Sequence, residues 1–260
     1  MHNSSEYYSE LVSRNKVFID YKLQRDIVKT RLAFAGCGLG SNVALMSARV
    51  GFTKFVLMDG DDVSISNLNR QTFEIKDVGK NKALCLKKQI LNVNRNCEVK
   101  TRTKYINNKD VDLVINNSDI IINTIDFGDT FIKLTTEATV SNKIVILPFN
   151  VGYGVVIVVL DKTSDSISSV IKENHNIVTN GDLYRHLLSN INYCAPKYIS
   201  QNIDKIFDVI RRFKYSPQLA IASSLNAAAI NTVILKIIKG DQVKKLPGII
   251  YFDLNDVVQC

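Results

Sequence analysis

The stretch that decides the fold runs from Arg31 to Asp61 and reads RLAFAGCGLGSNVALMSARVGFTKFVLMDGD. It opens with a short apolar run that ends in glycine, which predicts a buried strand. A segment with helical periodicity follows, and Ser41 and Asn42 are good capping residues at its start. A second apolar run, KFVLMD, ends at Asp59. Strand, glycine loop, helix, strand and acid in this order predict a nucleotide-binding α/β unit.

The glycine loop AGCGLGSN carries Gly36, Gly38 and Gly40. Glycines allow a tight turn and let backbone N–H groups approach a phosphate, and the following helix N-terminus favours an anion. The loop departs from G-x-G-x-x-G because the third glycine comes one residue early and Ser41 takes its place. Asp59, 19 residues after Gly40, stands where dinucleotide-binding folds place an acid on ribose hydroxyls. The alternative interpretation is a purely structural strand-to-helix turn.

A polar run, DGDDVSISNLNRQ, follows the second strand and is too polar for a core. A nicotinamide dehydrogenase has no obvious need for Asp61, Asn67, Arg70 and Gln71 directly after the ribose acid. A triphosphate ligand would use them, because an arginine neutralises phosphate charge bidentately and amides orient phosphate oxygens. The run therefore favours a nucleoside triphosphate over a dinucleotide.

Two further charged residues continue this pattern. Lys82, in DVGKNKA, is a point charge suited to a developing pyrophosphate, although any one lysine in this lysine-rich chain could be a surface residue. Asp126 ends the apolar run IIINTID. Ligands bind at the carboxyl ends of strands in open α/β sheets, and a carboxylate there can hold Mg²⁺.

Strand and helix patterns alternate from about residue 31 to 160, which predicts a Rossmann-like, mostly parallel sheet flanked by helices. The strand YGVVIVVL follows its predecessor after a short gap, so we expect antiparallel strands at one end. Residues 1–30 form a predicted N-terminal helical arm. Residues 31–260 form a single α/β domain with a helical insertion at about 162–214. A C-terminal helical elaboration, an Ala-rich helix closed by Gly240, precedes a last strand, GIIYFDL.

Composition narrows the function classes. The chain has 260 residues, 46% of them hydrophobic and 22% charged, which is ordinary for a globular protein. No window reaches the ~18 apolar residues of a membrane span, and MHNSSEYYSE lacks a signal-peptide core, so we expect a cytoplasmic protein without a membrane partner. The net charge of +8 is dispersed, so we expect no nucleic-acid partner. Its nearest patch, Arg211, Arg212 and Lys214, is a solvated helix face or a dock for an acidic carrier.

The cysteines argue against structural disulfides and against zinc. There are five, an odd number, and no two form a C-x-x-C pair. We therefore expect reduced thiols and no zinc. They are Cys37, Cys85, Cys97, Cys194 and Cys260.

Taken together, the glycine loop, LMDGD, SNLNRQ, VGKNKA and IINTID resemble the ThiF/MoeB family, relatives of the ubiquitin-activating enzymes. The resemblance is specific through DDVSISNLNRQTFEIKDVGKNKA. It covers roughly residues 14–155 and extends more weakly to the helix near 217–240. In that family a carboxylate, usually the C-terminus of a small carrier protein or peptide, attacks the α-phosphate of ATP. Pyrophosphate leaves and an acyl-adenylate remains.

The resemblance implies roles for individual residues. Arg14 would act across the interface of a homodimer on the neighbouring site, Asp59 would hold the ribose, and Asp126 would hold Mg²⁺. The implied catalytic residues are Arg70, Lys82, Arg14 and Asp126. The implied nucleotide-binding residues are Gly36, Gly38, Gly40, Asp59, Asp61, Asn67 and Gln71.

Alternatives stay open at this point. Cys194, in NINYCAPKY, could accept the acyl group as a thioester or be an incidental thiol. The shortened glycine loop and the missing zinc ligands would also suit a non-catalytic scaffold or binding module that has kept the fold. An NAD(P)-dependent oxidoreductase is a further alternative, but SNLNRQ gives it no support.

Overall fold

A computed structural model describes residues 4–173, 177, 179–190, 196–213 and 215–255. Cys194, Lys214 and Cys260 lie outside these ranges. Within these ranges, seven strands form one sheet in the order β3-β2-β1-β4-β5-β6-β7. The strands are β1 (Arg31–Ala35), β2 (Lys54–Met58), β3 (Glu98–Arg102), β4 (Ile120–Asn123), β5 (Ile144–Val151), β6 (Gly154–Leu160) and β7 (Ile250–Asp253).

The helices lie between and after these strands. Short 3₁₀ turns interrupt the loops at Ser13–Asn15, Ile65–Asn67 and Ile75–Asp77. The α-helices are α1 (Ser4–Leu11), α2 (Tyr21–Lys29), α3 (Gly40–Val50), α4 (Lys82–Val93), α5 (Val111–Asn116), α6 (Asp129–Val140), α7 (Ile167–Glu173), α8 (Asn180–Asn190), α9 (Lys197–Phe213) and α10 (Ala220–Lys239).

The pairing of the strands confirms the predicted sheet. Strands β1 to β5 are parallel neighbours, with β1 between β2 and β4. Strand β6 returns antiparallel to β5, and β7 is antiparallel to β6. Because parallel strands end on the same edge, β1, β2 and β4 bring the loops that follow them together.

Both faces of the sheet are buried, as near-continuous apolar strands predict. Leu32 and Phe34 point to the face covered by α2, α3, α4 and α10. Ala33 and Ala35 point to the opposite face, which α5 to α9 cover. The alternation along β1 therefore divides the core into two layers, with the sheet between them.

Helix α10 is the predicted Ala-rich helix. By length and composition it could cross a membrane, contrary to the sequence-based expectation, but half of it is buried within the fold, and a core helix passes the same test. It packs on α3, β5 and β6. Its buried Asn231 accepts a hydrogen bond from the Ser47 hydroxyl of α3, with an O–O distance of 2.8 Å. Gly240 caps it with φ +85°.

The N-terminal segment is helical, as predicted, and it is docked on the core. Ile27 of α2 is fully buried in the same layer as α3. The Tyr8 hydroxyl donates a 2.7 Å hydrogen bond to the carbonyl oxygen of Gly51, just after α3. The contact is tight, because a Cβ on Gly51 would lie 2.7 Å from the same hydroxyl oxygen.

Candidate functional site

Two cavities meet where β1, β2 and β4 end. The Lys82 cavity has a volume of about 170 Å³, and the Arg70 cavity has about 270 Å³. Thr124, Ile125 and Asp126 line both of them, so the two are adjacent compartments of one site. The Lys82 cavity is further lined by Gly36, Gly38, Asp59, Asp61, Lys82 and Tyr105. The Arg70 cavity is further lined by Arg70, Gln71, Asn123, Asn150 and Gln218.

The glycine loop forms one wall of the Lys82 cavity, and its backbone is too close to neighbouring atoms for side chains to fit there. Gly36 has φ +91°, and a Cβ on it would lie 2.5 Å from the Thr124 hydroxyl oxygen. A Cβ on Gly38 would lie 3.2 Å from Nε2 of Gln71. The loop backbone thus runs directly beside both cavities, as close approach to a phosphate requires.

The early third glycine has a structural explanation. Gly40 is the first residue of α3 and packs on β1, where a Cβ would lie 3.2 Å from the Phe34 ring. Ser41 is buried, and its hydroxyl donates to the carbonyl oxygen of Gly38 at 2.7 Å. The backbone N–H of Thr72 donates to the same hydroxyl at 3.3 Å. Ser41 thereby ties the glycine loop to the polar run, a role that its hydroxyl allows and a glycine could not fill.

Asp59 holds the glycine loop and the end of β2 together. One carboxylate oxygen accepts a 2.6 Å hydrogen bond from the N–H of Cys37, and the other accepts a 2.8 Å bond from the N–H of Asp61. The side chain is buried, and this burial raises the pKa of Asp59 despite the two N–H donors. The sequence pattern assigned this acid to ribose hydroxyls and gave no sign of this clamp.

Lys82 lies at the start of α4 with a carboxylate partner. Its Nζ is 2.8 Å from Oδ2 of Asp61, and its side chain is only 9% exposed. The Tyr105 hydroxyl donates to the other Asp61 oxygen at 2.5 Å. Burial by itself raises the pKa of Asp61, but the hydrogen bonds from Lys82 and Tyr105 outweigh it and bring the pKa below its ordinary value.

Arg70 is held by neutral acceptors. Its Nε donates to Oε1 of Gln218 at 2.9 Å. Its Nη1 donates to the carbonyl oxygen of Ser66 at 2.7 Å and to Oδ1 of Asn69 at 2.8 Å. Partial burial lowers the pKa of Arg70, which stays charged at any physiological pH.

The two predicted amides lie differently. Asn67 is buried, and its Oδ1 accepts a 3.0 Å hydrogen bond from the N–H of Ser64, so it caps the turn that leads to Arg70. It is not among the lining residues of either cavity within the described chain. Gln71 does line the Arg70 cavity, and its buried Oε1 has no hydrogen-bond partner among the residues that the structure describes. The predicted phosphate contact of Asn67 would need a rearrangement of this cap, whereas that of Gln71 would not.

The remaining predicted residues are separated. Asp126 lines both cavities, so it shares one of them with Lys82 and the other with Arg70. Arg14 is exposed on the 3₁₀ turn after α1 and lines neither cavity. Among the described residues, no group of three or more His, Cys, Asp and Glu side chains could hold a metal ion. A magnesium ion held by one carboxylate and by phosphate oxygens needs no such group.

Sequence reasoning missed Tyr105, Thr124 and Gln218. Tyr105 ends the polar strand segment CEVKTRTKY, so its place at the carboxyl edge of the sheet was available as a signal. Thr124 follows β4, and its hydroxyl donates to the carbonyl oxygens of Ala35 and Gly36. Gln218 lies 148 residues after Arg70, and no local pattern joins them.

Two larger cavities lie outside this pair. The α8–α9 cavity, of about 770 Å³, is bordered by Phe127, Arg185, Asp204, Phe207 and Arg211. It adjoins the Arg70 cavity, because Ile210 lines both and Phe127 follows Asp126. A further cavity of about 660 Å³ lies along the N-terminal arm, beside Tyr8, Val17 and Tyr21.

Comparison with known proteins gives a family match. The family described as "ThiF family" matches residues 12–256. A probable molybdopterin-synthase adenylyltransferase of Porphyra purpurea is 39% identical over an alignment of 100 residues, which covers 36% of this chain and 25% of that protein. This chain thus spans about a quarter of the length of the curated relatives it matches first.

Solved structures share the fold at low sequence identity. A crystal structure of PaaA is similar with a TM-score of 0.70 and 22% identity, over 98% of this chain and 82% of that one. A crystal structure of Escherichia coli MccB with ATP is similar with a TM-score of 0.66 and 21% identity, over 91% of this chain and 64% of that one. These likenesses concern the sheet and its helices.

Proposed function

This chain belongs to the ThiF family, and we propose that it is an ATP-dependent adenylyltransferase that activates a carboxylate as an acyl-adenylate. The observation that carries the proposal is the position of Lys82, Arg70 and Asp126 around two adjacent cavities at the carboxyl edge of the sheet. Cations and an acid surround the same small volume there, as phosphoryl chemistry requires. MccB, a similar structure, has been crystallised with ATP.

The residues suggest an order for the nucleotide. The ribose and α-phosphate would lie in the Lys82 cavity, beside Asp59 and the glycine loop. The outer phosphates would lie in the Arg70 cavity. Neither cavity alone reaches the roughly 300 Å³ at which small-molecule sites begin, and this agrees with one ligand extending through both.

In the proposed reaction, a carboxylate oxygen forms a bond to the α-phosphorus. The bond from that phosphorus to the bridging oxygen breaks, and pyrophosphate leaves with the electron pair. Lys82 would stabilise charge on the transferring phosphate after exchanging Asp61 for it, and Arg70 would hold the departing pyrophosphate. Positioning and charge neutralisation supply most of the catalysis in such transfers.

Magnesium fits the site through Asp126. A single carboxylate together with phosphate oxygens and water is an ordinary magnesium environment. When bound there, the ion would neutralise phosphate charge. Asp126 would contribute its carboxylate from the shared wall of the two cavities.

The activated carboxylate is proposed to be the end of a small carrier protein or peptide. The α8–α9 cavity supports this, because it adjoins the Arg70 cavity and is large enough for several residues of an extended chain. The curated relative in Porphyra purpurea is likewise named for acting on a protein, molybdopterin synthase. A cytoplasmic location and the lack of a nucleic-acid partner stay predictions.

A homodimer is the proposed assembly. Val17 and Phe18 are 93% and 89% exposed and lie close to Arg14 in the sequence. Exposed apolar clusters of this kind are typical of interfaces. A second copy covering them would let Arg14 act on the neighbouring site. Mixing Arg14→Ala with Lys82→Met chains tests this, because only a mixed dimer contains one intact site, and no regained activity would rule out the shared site.

The test of the proposed activity begins with calorimetric titration of the protein with Mg²⁺-ATP and, separately, with NADH. We expect ATP to bind the wild-type protein and to bind the Asp59→Ala variant more weakly. Pyrophosphate exchange with candidate peptides then measures the reaction itself. Binding of NADH alone would refute the proposal, and ATP binding without exchange for any carboxylate would favour a non-catalytic module.

A further inference from the structure

We infer that Gln218 is a positioning residue for Arg70, which it fixes so that the Nη2 edge of the guanidinium points into the Arg70 cavity. The inference rests on the proposed function, because it assigns that edge to the outer phosphates of ATP. It concerns a residue outside the polar run and the glycine loop, on the segment between α9 and α10.

Within the described chain, the partners of Arg70 use only some of its hydrogen-bond donors. A guanidinium has five N–H donors, one on Nε and two on each terminal nitrogen. Nε is used by Gln218, and Nη1 is used by Ser66 and Asn69. Nη2 makes no hydrogen bond to any residue that the structure describes. Three contacts thus fix the plane of the group, and two adjacent donors stay available to an anion.

The contact with Arg70 defines how the side-chain amide of Gln218 is oriented. Because arginine only donates, the oxygen of the Gln218 amide must face Arg70, as the 2.9 Å contact has it. The amide nitrogen then points away from Arg70, and within the described chain it has no protein partner. Gln218 lines the same cavity. The pair therefore offers N–H donors from two side chains to one small volume.

Gln218 is adjacent to a helix that is anchored in the core. Gln218 lies two residues before α10, whose N-cap is Leu219. That helix is anchored in the core through Asn226 and Asn231, which hydrogen-bond to β5 and α3. The other two partners of Arg70 lie beside it in the polar run. Gln218 thus fixes the guanidinium relative to the core of the fold, whereas the other two partners fix it only relative to its own loop.

This arrangement predicts an effect on some nucleotides only. A long arginine side chain loses rotamer freedom when it binds an anion, and holding it beforehand reduces that cost. Arg70 lines the cavity assigned to the outer phosphates and does not line the Lys82 cavity. Loss of Gln218 should therefore weaken the binding of ATP and leave the binding of AMP largely unaffected.

The experiment compares the affinity of Gln218→Met for Mg²⁺-ATP and for AMP by calorimetry. Methionine keeps the length and removes the acceptor. We expect roughly a tenfold weaker affinity for ATP, the size of one hydrogen bond to a charged group, and an AMP affinity within about twofold of wild type. Gln201→Met makes the same change at an exposed site on α9 and should change neither. Gln218→Ala, measured in parallel, should give the same result.

A double-mutant cycle separates positioning from a merely structural role. If Gln218 acts through Arg70, adding Gln218→Met to Arg70→Ala should cause no further loss of ATP affinity. Additive losses, or equal losses for ATP and AMP, would overturn the inference. If wild type binds ATP and Gln218→Met binds it equally well, this inference is overturned and the proposed function is not. Wild-type protein that binds neither nucleotide would overturn the proposed function, and this inference with it.

Discussion

Lys82 and Arg70 are the two cations of the candidate site, and different chemistry holds each of them. Lys82 is buried and paired with the Asp61 carboxylate at 2.8 Å. Arg70 is held by amide and carbonyl oxygens at 2.7 to 2.9 Å and has no carboxylate partner among the described residues. One cation is neutralised by the protein, whereas the other keeps its full charge in the cavity.

The difference suggests different tasks. An uncompensated arginine attracts a polyanion as soon as it arrives, because no competing carboxylate must be displaced. A lysine paired with an acid becomes available only when a stronger anion takes the place of that acid. Lys82 is therefore suited to the transferring phosphate and Arg70 to the outer phosphates.

Removing Lys82 should have the largest effect. Lys82→Met keeps most of the packing volume and removes the charge, so pyrophosphate exchange should fall by roughly 10² to 10³-fold, the usual loss for a group that stabilises a transition state. ATP affinity should change much less, since Arg70 is intact. Lys80→Met is the matched control, because Lys80 is exposed two residues away. Equal losses of binding and exchange in Lys82→Met would contradict the division of tasks.

Replacing Asp59, whose carboxylate holds the glycine loop to the end of β2, should have the second largest effect. Asp59→Asn keeps one acceptor, but its amide nitrogen faces a second N–H donor, so one buried hydrogen bond is lost and two donors oppose each other. The free energy of unfolding should fall by about 1 to 3 kcal/mol, as measured by urea denaturation, and ATP binding should weaken. Asp62→Asn, at an exposed neighbour, should leave both unchanged. Lower ATP affinity without lower stability would mean that Asp59 contacts ligand without holding the loop.

The two cations also differ in how far sequence could predict their surroundings. Lys82, Asp61 and Asp59 follow one another within a single strand–loop–helix pattern, so local order along the chain predicted their grouping. Gln218 reaches Arg70 from beyond six helices of the described chain, α4 to α9, and such a contact depends on how α9 and α10 pack, which no local pattern specifies. A phosphate contact of Asn67 stays a prediction, because an amide in a polar run does not show whether it faces a ligand or its own backbone.

The cap provided by Asn67 should matter less than the clamp. Asn67→Ala removes the acceptor for the N–H of Ser64, and loss of such a cap costs about 1 kcal/mol. We expect that drop in the free energy of unfolding and a mild loss of ATP affinity, because the turn leads to Arg70. Asn67→Asp keeps the acceptor and should restore both. A large loss of affinity at unchanged stability would instead favour the direct phosphate contact.

The smallest effect should come from Tyr105, and it tests the pairing of Lys82 most directly. Tyr105→Phe removes one of the two hydrogen bonds that lower the pKa of Asp61. In the folded protein that pKa is below its ordinary value, so the stabilising pair is complete above the ordinary pKa and is lost as the pH falls through the folded-state value. The variant should therefore lose the pair at a higher pH than wild type.

Carboxyl-carbon NMR titration of Asp61 in both proteins measures this shift. Exchange activity at neutral pH should change by no more than about threefold, since Asp61 is half exposed and Lys82 stays paired. Tyr153→Phe is the control, because the Tyr153 hydroxyl has no hydrogen-bond partner in the described chain. In that variant Asp61 should titrate as it does in wild type. If the Asp61 pKa in Tyr105→Phe equalled that of wild type, Lys82 alone would set it. The division between a paired and an unpaired cation would then rest on Lys82 and Asp61 without the tyrosine.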